Sequence, residues 1–167
     1  MKRMAAISLL AVISLTVVTA QVSKTPFTIA DLYRIQSVAD PQISPDGRRI
    51  AFTVTTSDLV KGTTNADIHV VNLDGTGLRR LTASDKSDST PRWSPDGKTL
   101  LFVSTRSDGA QLWLLPADGG EPRQLTRFST GAADPVWTPD GQSVIFTSEI
   151  FPECGADDAC NKRIQDG

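Results

Sequence analysis

The sequence predicts an all-β fold: a partial β-propeller of four-stranded antiparallel blades, about two and a half of them. Three observations carry that reading. A Ser/Thr-Pro-Asp-Gly turn occurs three times, at Ser44–Gly47, Ser94–Gly97 and Thr138–Gly141. Each turn runs into a short apolar stretch: Ile50-Ala51-Phe52, Leu100-Leu101-Phe102 and Val144-Ile145-Phe146. The spacing also repeats. Asp96 to Asp140 is 44 residues, and so is Leu81 to Leu125. Asp46 to Asp96 is 50, with the extra six confined between Phe52 and Ile68. A period near 44 with four short strands per unit is that of a propeller blade. An ordinary antiparallel sandwich leaves the three matched turns unexplained.

The chain opens like a secretory signal peptide over residues 1–20. Lys2 and Arg3 give a basic start, Ala5 to Val18 is largely apolar, and Val18-Thr19-Ala20 is a small-residue cleavage site. The run is short and weakly apolar for a membrane span, although an uncleaved anchor is the other reading. No cysteine follows the cleavage site, against a lipoprotein anchor. The expected location is therefore exported, periplasmic or extracellular. Without Lys2 and Arg3 the chain keeps 15 Lys and Arg against 19 Asp and Glu, a net charge of −4. No basic cluster is larger than a pair, and pairs such as Arg48-Arg49 and Arg79-Arg80 read as solvated charges, so nucleic acid is not an expected partner.

A lead segment, residues 21–40, precedes the blades. Thr28 can cap a helix over about 29–36, with Asp31 at its positive end and Ile29, Leu32 and Tyr33 as an apolar face to pack on the rest. Asp40-Pro41 ends it. The propeller then occupies residues 41–167, with repeats near 41–90, 91–134 and 135–167.

In each repeat the turn joins two strands. Proline presets the second turn position, aspartate bonds back to its own backbone, and glycine takes positive φ. Asp46, Gly47, Asp96, Gly97, Asp140 and Gly141 are thus structural turn residues. After the second turn, Leu100 and Phe102 face one way and Leu101 and Val103 the other, so this strand is covered on both sides. The first repeat continues with a polar connection (57–66), a third strand (67–73) with Asp74-Gly75 as its turn, and a fourth strand (78–82). The second has its third strand at 111–115 and its fourth at 122–126. The last repeat stops after two strands and a cysteine-containing loop. Trp93, Phe102, Trp113, Trp137 and Phe146 are the expected packing residues.

Chemistry-bearing patterns are sparse. There is no Gly-x-Ser-x-Gly elbow, no His-Glu-x-x-His and no phosphate loop. No catalytic residue, cofactor site or metal site is assigned. Gly75-Thr76-Gly77 sits in a strand turn. The three turn aspartates belong to different blades, so turn chemistry accounts for them better than a shared ion. His69, the one histidine, reads as structural or exposed. Cys154 and Cys160 read as a local disulfide in an exported chain. Asp157-Asp158 between them reads as a solvated loop tip, with weak cation binding as the other possibility.

These repeats resemble the TolB-like, WD40-type repeat. Ser-Pro-Asp-Gly, then Ile-Ala-Phe or Leu-Leu-Phe, then Leu-Thr at the blade end, is similar to TolB-type periplasmic proteins. It is also similar to the N-terminal propellers of prolyl oligopeptidase family serine peptidases. Thr28–Tyr33, Asp40-Pro41-Gln42-Ile43-Ser44-Pro45-Asp46-Gly47, and the Phe151–Cys154 and Asp158–Lys162 segments resemble the exported dipeptidyl-peptidase and acylaminoacyl-peptidase branches. That resemblance implies a propeller gating a C-terminal α/β-hydrolase domain with a Ser-Asp-His triad that cuts peptides. None of the triad lies in this sequence, so the chain alone is expected to be inactive. The alternative is a TolB-like propeller that binds a protein partner, and a truncated product without a role of its own is a third possibility.

Overall fold

The computed structural model describes residues 26–167; the expected signal peptide lies outside the described residues. The described residues form a short helix α1 (Ile29–Leu32), ten strands and a helix α2 (Asp158–Asp166). Strands β1 (Ser37–Ile43), β2 (Arg49–Asp58), β3 (Thr63–Asn72) and β4 (Arg79–Arg80) pair in chain order as the first antiparallel sheet. β5 (Asp88–Trp93), β6 (Thr99–Ser104), β7 (Gln111–Pro116) and β8 (Arg123–Gln124) form the second in the same order. β9 (Ala133–Trp137) and β10 (Val144–Thr147) form a two-stranded third. The sheets stack as blades of an unclosed propeller.

The cores lie between blades, where the alternation along β6 and β7 places them. Leu100, Phe102 and Leu115 face the first blade and pack with Ala51, Ile68, Val70 and Trp93. Leu101 and Leu112 face the third blade with Ala132, against Val103, Trp137, Val144 and Phe146. Phe102, Leu100, Leu101, Leu112 and Leu115 are fully buried. Of the expected packing residues, Trp93 and Phe102 are buried, while Trp113, Trp137 and Phe146 are half-buried. The Leu-Thr pairs at the blade ends have a defined task. The buried Thr82 and Thr126 hydroxyls accept from the Ile68 and Leu112 backbone N–H groups at 3.0 and 2.9 Å. They complete the third strand where the two-residue fourth strand leaves it unpaired.

Four details depart from expectation. The region read as a polar connection, 57–66, is mostly strand: β2 and β3 pair without interruption from Arg49↔Asn72 to Asp58↔Thr63. The six extra residues lengthen a hairpin, and its Thr- and Ser-rich flanks are compatible with extended backbone. The helix α1 stops at Leu32 rather than near residue 36. Its apolar face is not packed: Ile29 is 74% and Leu32 54% exposed. Local capping suffices to form it, since Asp31 reaches back to accept from the Thr28 N–H and hydroxyl at 2.8 and 2.7 Å. Finally, the segment after Asp157 is helical. Asp157 caps α2 by accepting from Cys160 N–H at 3.1 Å, and Lys162 pairs with Asp166 one turn on.

Candidate functional site

The three turns share one set of bonds. In the first, the Ser44 hydroxyl donates to Asp46 at 2.6 Å, the Arg48 N–H donates to the same carboxylate oxygen, and the Ser44 oxygen accepts from the Arg49 N–H. Ser94, Asp96, Lys98 and Thr99 repeat this, as do Thr138, Asp140, Gln142 and Ser143. Gly47, Gly97 and Gly141 have φ of 70°, 69° and 68°, a conformation that disfavours a side chain. In each turn the hydroxyl, then the backbone N–H, holds the aspartate below the ordinary carboxylate range. The carboxylates are thus engaged within their own turns. Among the described residues no three His, Cys, Asp or Glu side chains gather to hold a metal.

A second repeated feature lies just upstream, on the innermost strands. Asp40, Thr90 and Asp134 all have positive φ, at 50°, 57° and 48°, and each precedes a proline. Non-glycine residues resist that region, and a following proline disfavours the helical alternative as well. Each sits where the pairing register slips, so the inner strand of every blade carries a bulge. The signal was present in the sequence as an X-Pro pair at a constant offset before each turn.

The bulges frame the seams between blades. Trp93 donates its indole N–H to the Gln42 carbonyl at 2.9 Å, and Trp137 donates to the Arg92 carbonyl at 3.2 Å. Gly97 lies against Pro45 and Gly141 against Pro95, where a Cβ at either position would make ordinary van der Waals contact with the ring, at 3.6 and 3.4 Å. At the first seam Arg92 also pairs with Asp40 at 2.7 Å. The basic pairs, expected to be solvated, contribute here as well. Arg49 lies 4.9 Å over the Trp93 ring and bonds Asp118 at 3.0 Å. Arg79 donates to the Asp118 and Ala117 carbonyls at 2.8 and 3.1 Å, and Arg80 pairs with the buried Asp67. Of these four arginines, only Arg48 makes no such side-chain contact. Guanidinium groups fit this use because one planar fork serves several carbonyls at once.

The cysteine segment forms an arm on the third blade. Cys154 and Cys160 are bonded, with Cα atoms 5.4 Å apart. Buried Asn161 organises the loop: it accepts from the Phe151 N–H and donates to the Gly155 and Asp157 carbonyls. Asp158 anchors the arm to the preceding connection, accepting from the Ser129 N–H and hydroxyl, both at 2.8 Å. Asp157 and Asp158 are therefore a cap and an anchor rather than a solvated tip. An open cleft of about 560 Å³ separates α2 from the second blade, lined by Asp108, Gln124, Arg127 and Lys162 among others. A wider one of about 1120 Å³ lies beside the β2–β3 hairpin. His69 stacks on Phe52, with ring centroids 5.9 Å apart, and faces neither cleft. Gly75 and Gly77 stay in the β3–β4 turn, where Asp74 bonds Thr76. No helix among the described residues is long and apolar enough to cross a membrane.

This geometry has counterparts in known proteins. The uncharacterized peptidase YuxL of Bacillus subtilis is 38% identical over 92 residues, which is 54% of this chain and 14% of that protein. The chain thus spans about one seventh of that relative's length. The putative TolB of Agrobacterium tumefaciens superposes with a TM-score of 0.54 at 30% identity, covering 64% of this chain and 36% of that one. The acylaminoacyl peptidase of Pyrococcus horikoshii superposes with a TM-score of 0.59 at 19% identity, covering 73% of this chain and 20% of that one, a likeness of fold. Residues 17–153, most of the sequence, match the PD40 family, the TolB β-propeller domain. Three turns of one geometry, antiparallel blades and this match together place the chain in the PD40 family of TolB β-propeller domains.

Proposed function

We propose that this chain is the N-terminal propeller region of an exported serine peptidase of the prolyl oligopeptidase type, and that it filters and positions peptide substrates for a hydrolase domain further along the polypeptide. The observation that carries the reading is the 38% identity over 92 residues to the peptidase YuxL. The structure is compatible with a scaffold role. Its turn aspartates, seam arginines and cysteines are engaged in holding the fold, and its clefts are open to solvent. On this reading residues 1–20 direct export, and the Cys154–Cys160 bond suits an oxidising compartment.

The test is the intact mass of the native product, with peptide mapping of its C-terminus and labelling by a fluorophosphonate probe. The expected result is a mass several times that of residues 21–167, with the probe on a Gly-x-Ser-x-Gly peptide. A second reading, a propeller that binds a protein partner without catalysis, draws on the 30% identity to the Agrobacterium TolB. It predicts further blades, no labelled serine, and recovery of a partner by cross-linking in the periplasm. A native product that ends at Gly167 overturns the peptidase reading.

A further inference from the structure

The sequence holds seven Asp-Gly pairs, beginning at Asp46, Asp74, Asp96, Asp108, Asp118, Asp140 and Asp166. An Asp-Gly pair can isomerise: the glycine nitrogen attacks the aspartate side-chain carboxyl, and the missing Cβ leaves the approach uncrowded. The attack needs a nitrogen and a carboxyl group that are both free to move. Six of the seven pairs are tied. Gly47, Gly97 and Gly141 donate their N–H groups to the Ser44, Ser94 and Thr138 carbonyls at 2.8, 2.8 and 2.9 Å. Their aspartates each hold a hydroxyl and a backbone N–H. Gly75 donates to the Asn72 carbonyl and Gly119 to the Pro116 carbonyl, both at 2.9 Å. Asp74 accepts from the Thr76 hydroxyl and N–H, and Asp118 pairs with Arg49. Asp166 lies in α2 and pairs with Lys162 at 2.8 Å. The hydroxyl, then the N–H, holds Asp46, Asp74, Asp96 and Asp140 below the ordinary carboxylate range, and an ionised carboxylate is a poor electrophile.

Asp108-Gly109 is the exception. Both residues are exposed, in the connection between β6 and β7, and Gly109 has a φ of 69°. Among the described residues neither the Gly109 N–H nor the Asp108 carboxylate has a hydrogen-bond or ion-pair partner. We infer that Asp108 is a site of spontaneous modification, where the folded protein converts aspartate to isoaspartate. The Gly109 nitrogen bonds to Cγ of Asp108. The carboxyl hydroxyl leaves with the nitrogen's proton as water, which closes a succinimide. Water then opens the ring at one of its two carbonyls. Opening at Cγ restores aspartate; opening at the backbone carbonyl routes the chain through the side chain, at unchanged mass. The consequence falls on the cleft between α2 and the second blade, which both residues line. The buried Gln111 amide donates to the Asp108 carbonyl at 3.2 Å and to the Phe128 carbonyl at 2.6 Å. Isomerisation turns the first of these acceptors into a free carboxylate and lengthens the backbone beside it. The inference goes beyond the proposed function and does not depend on it.

The test ages the native product at neutral pH, once folded and once in guanidinium chloride. After desalting, a protein isoaspartyl methyltransferase labels isoaspartate, and electron-transfer fragmentation maps the label over the seven pairs. In the folded sample the label at Asp108 exceeds that at the other six pairs together, whereas in guanidinium chloride all seven take label. Asp108→Glu keeps the charge but requires a larger ring, and it removes most of the folded-state label. Folded-state label that is absent, spread over the pairs as in guanidinium chloride, or greatest at a pair other than Asp108 overturns the inference. So does an Asp108→Glu variant whose folded-state label matches that of the parent.

Discussion

Replacing Trp93 measures how firmly the first seam is built. Trp93 is 8% exposed, packs in the core shared by the first two blades, donates its indole N–H to Gln42 across the seam and carries Arg49 over its ring. Truncation to alanine removes the buried ring and leaves a cavity, for about 3–5 kcal/mol. The lost cation–ring contact and the orphaned Gln42 carbonyl place the expected value toward the upper end, about 4 kcal/mol or more. Phenylalanine keeps most of the ring and loses the N–H, so Trp93→Phe is expected to cost about 1–2 kcal/mol. Urea unfolding followed by far-ultraviolet circular dichroism separates the two. With a slope of about 2 kcal/mol per molar, alanine moves the midpoint by about 2 M and phenylalanine by less than about 1 M. A loss below about 1 kcal/mol for alanine refutes the placement of the core. Equal losses for the two variants refute the weight given to the ring.

Three further outcomes are expected. Arg79→Ala removes two charge-assisted bonds to the Asp118 and Ala117 carbonyls and lowers stability by about 1–2 kcal/mol, while Arg48→Ala stays within about 0.5; equal values in the same urea titration count against the seam role of Arg79. Asp46, Asp96 and Asp140 titrate below the ordinary value of 3.8 in the folded chain. Their contribution is therefore present above that value and is lost as pH falls through the lower folded values, and carboxyl carbon shifts in NMR titrations at or above 3.8 would falsify the turn bonding. Reducing the Cys154–Cys160 bond loosens its six-residue separation by about 2 kcal/mol in the arm alone. Hydrogen exchange at Cys160 and Asn161 should rise while Leu101 and Leu112 keep their protection; a matching loss in the core would show that the arm is part of the global fold.

What the sequence determined by itself is local. The Ser/Thr-Pro-Asp-Gly turns were legible because the hydroxyl, carboxylate and glycine that make them lie within six residues of one another. The two-faced β6 was legible because side chains on a strand alternate whatever surrounds it. The period of 44 then counted the blades. The tertiary structure decided everything that depends on distant partners. Arg49 and Arg79 resemble solvated charges in sequence because their acceptors lie 68 and 38 residues away. Asp40 and Arg92 are 52 apart. The cysteine segment reads as a loop until Asp157 caps it and Asp158 finds Ser129. The α1 face reads as core, but amphipathic spacing names only the side that is able to bury, and burial needs a surface in reach. The physical reason is common to all of them. Turn bonds and strand alternation are set by the backbone of a few adjacent residues, whereas seams form only when separate blades bring their edges together.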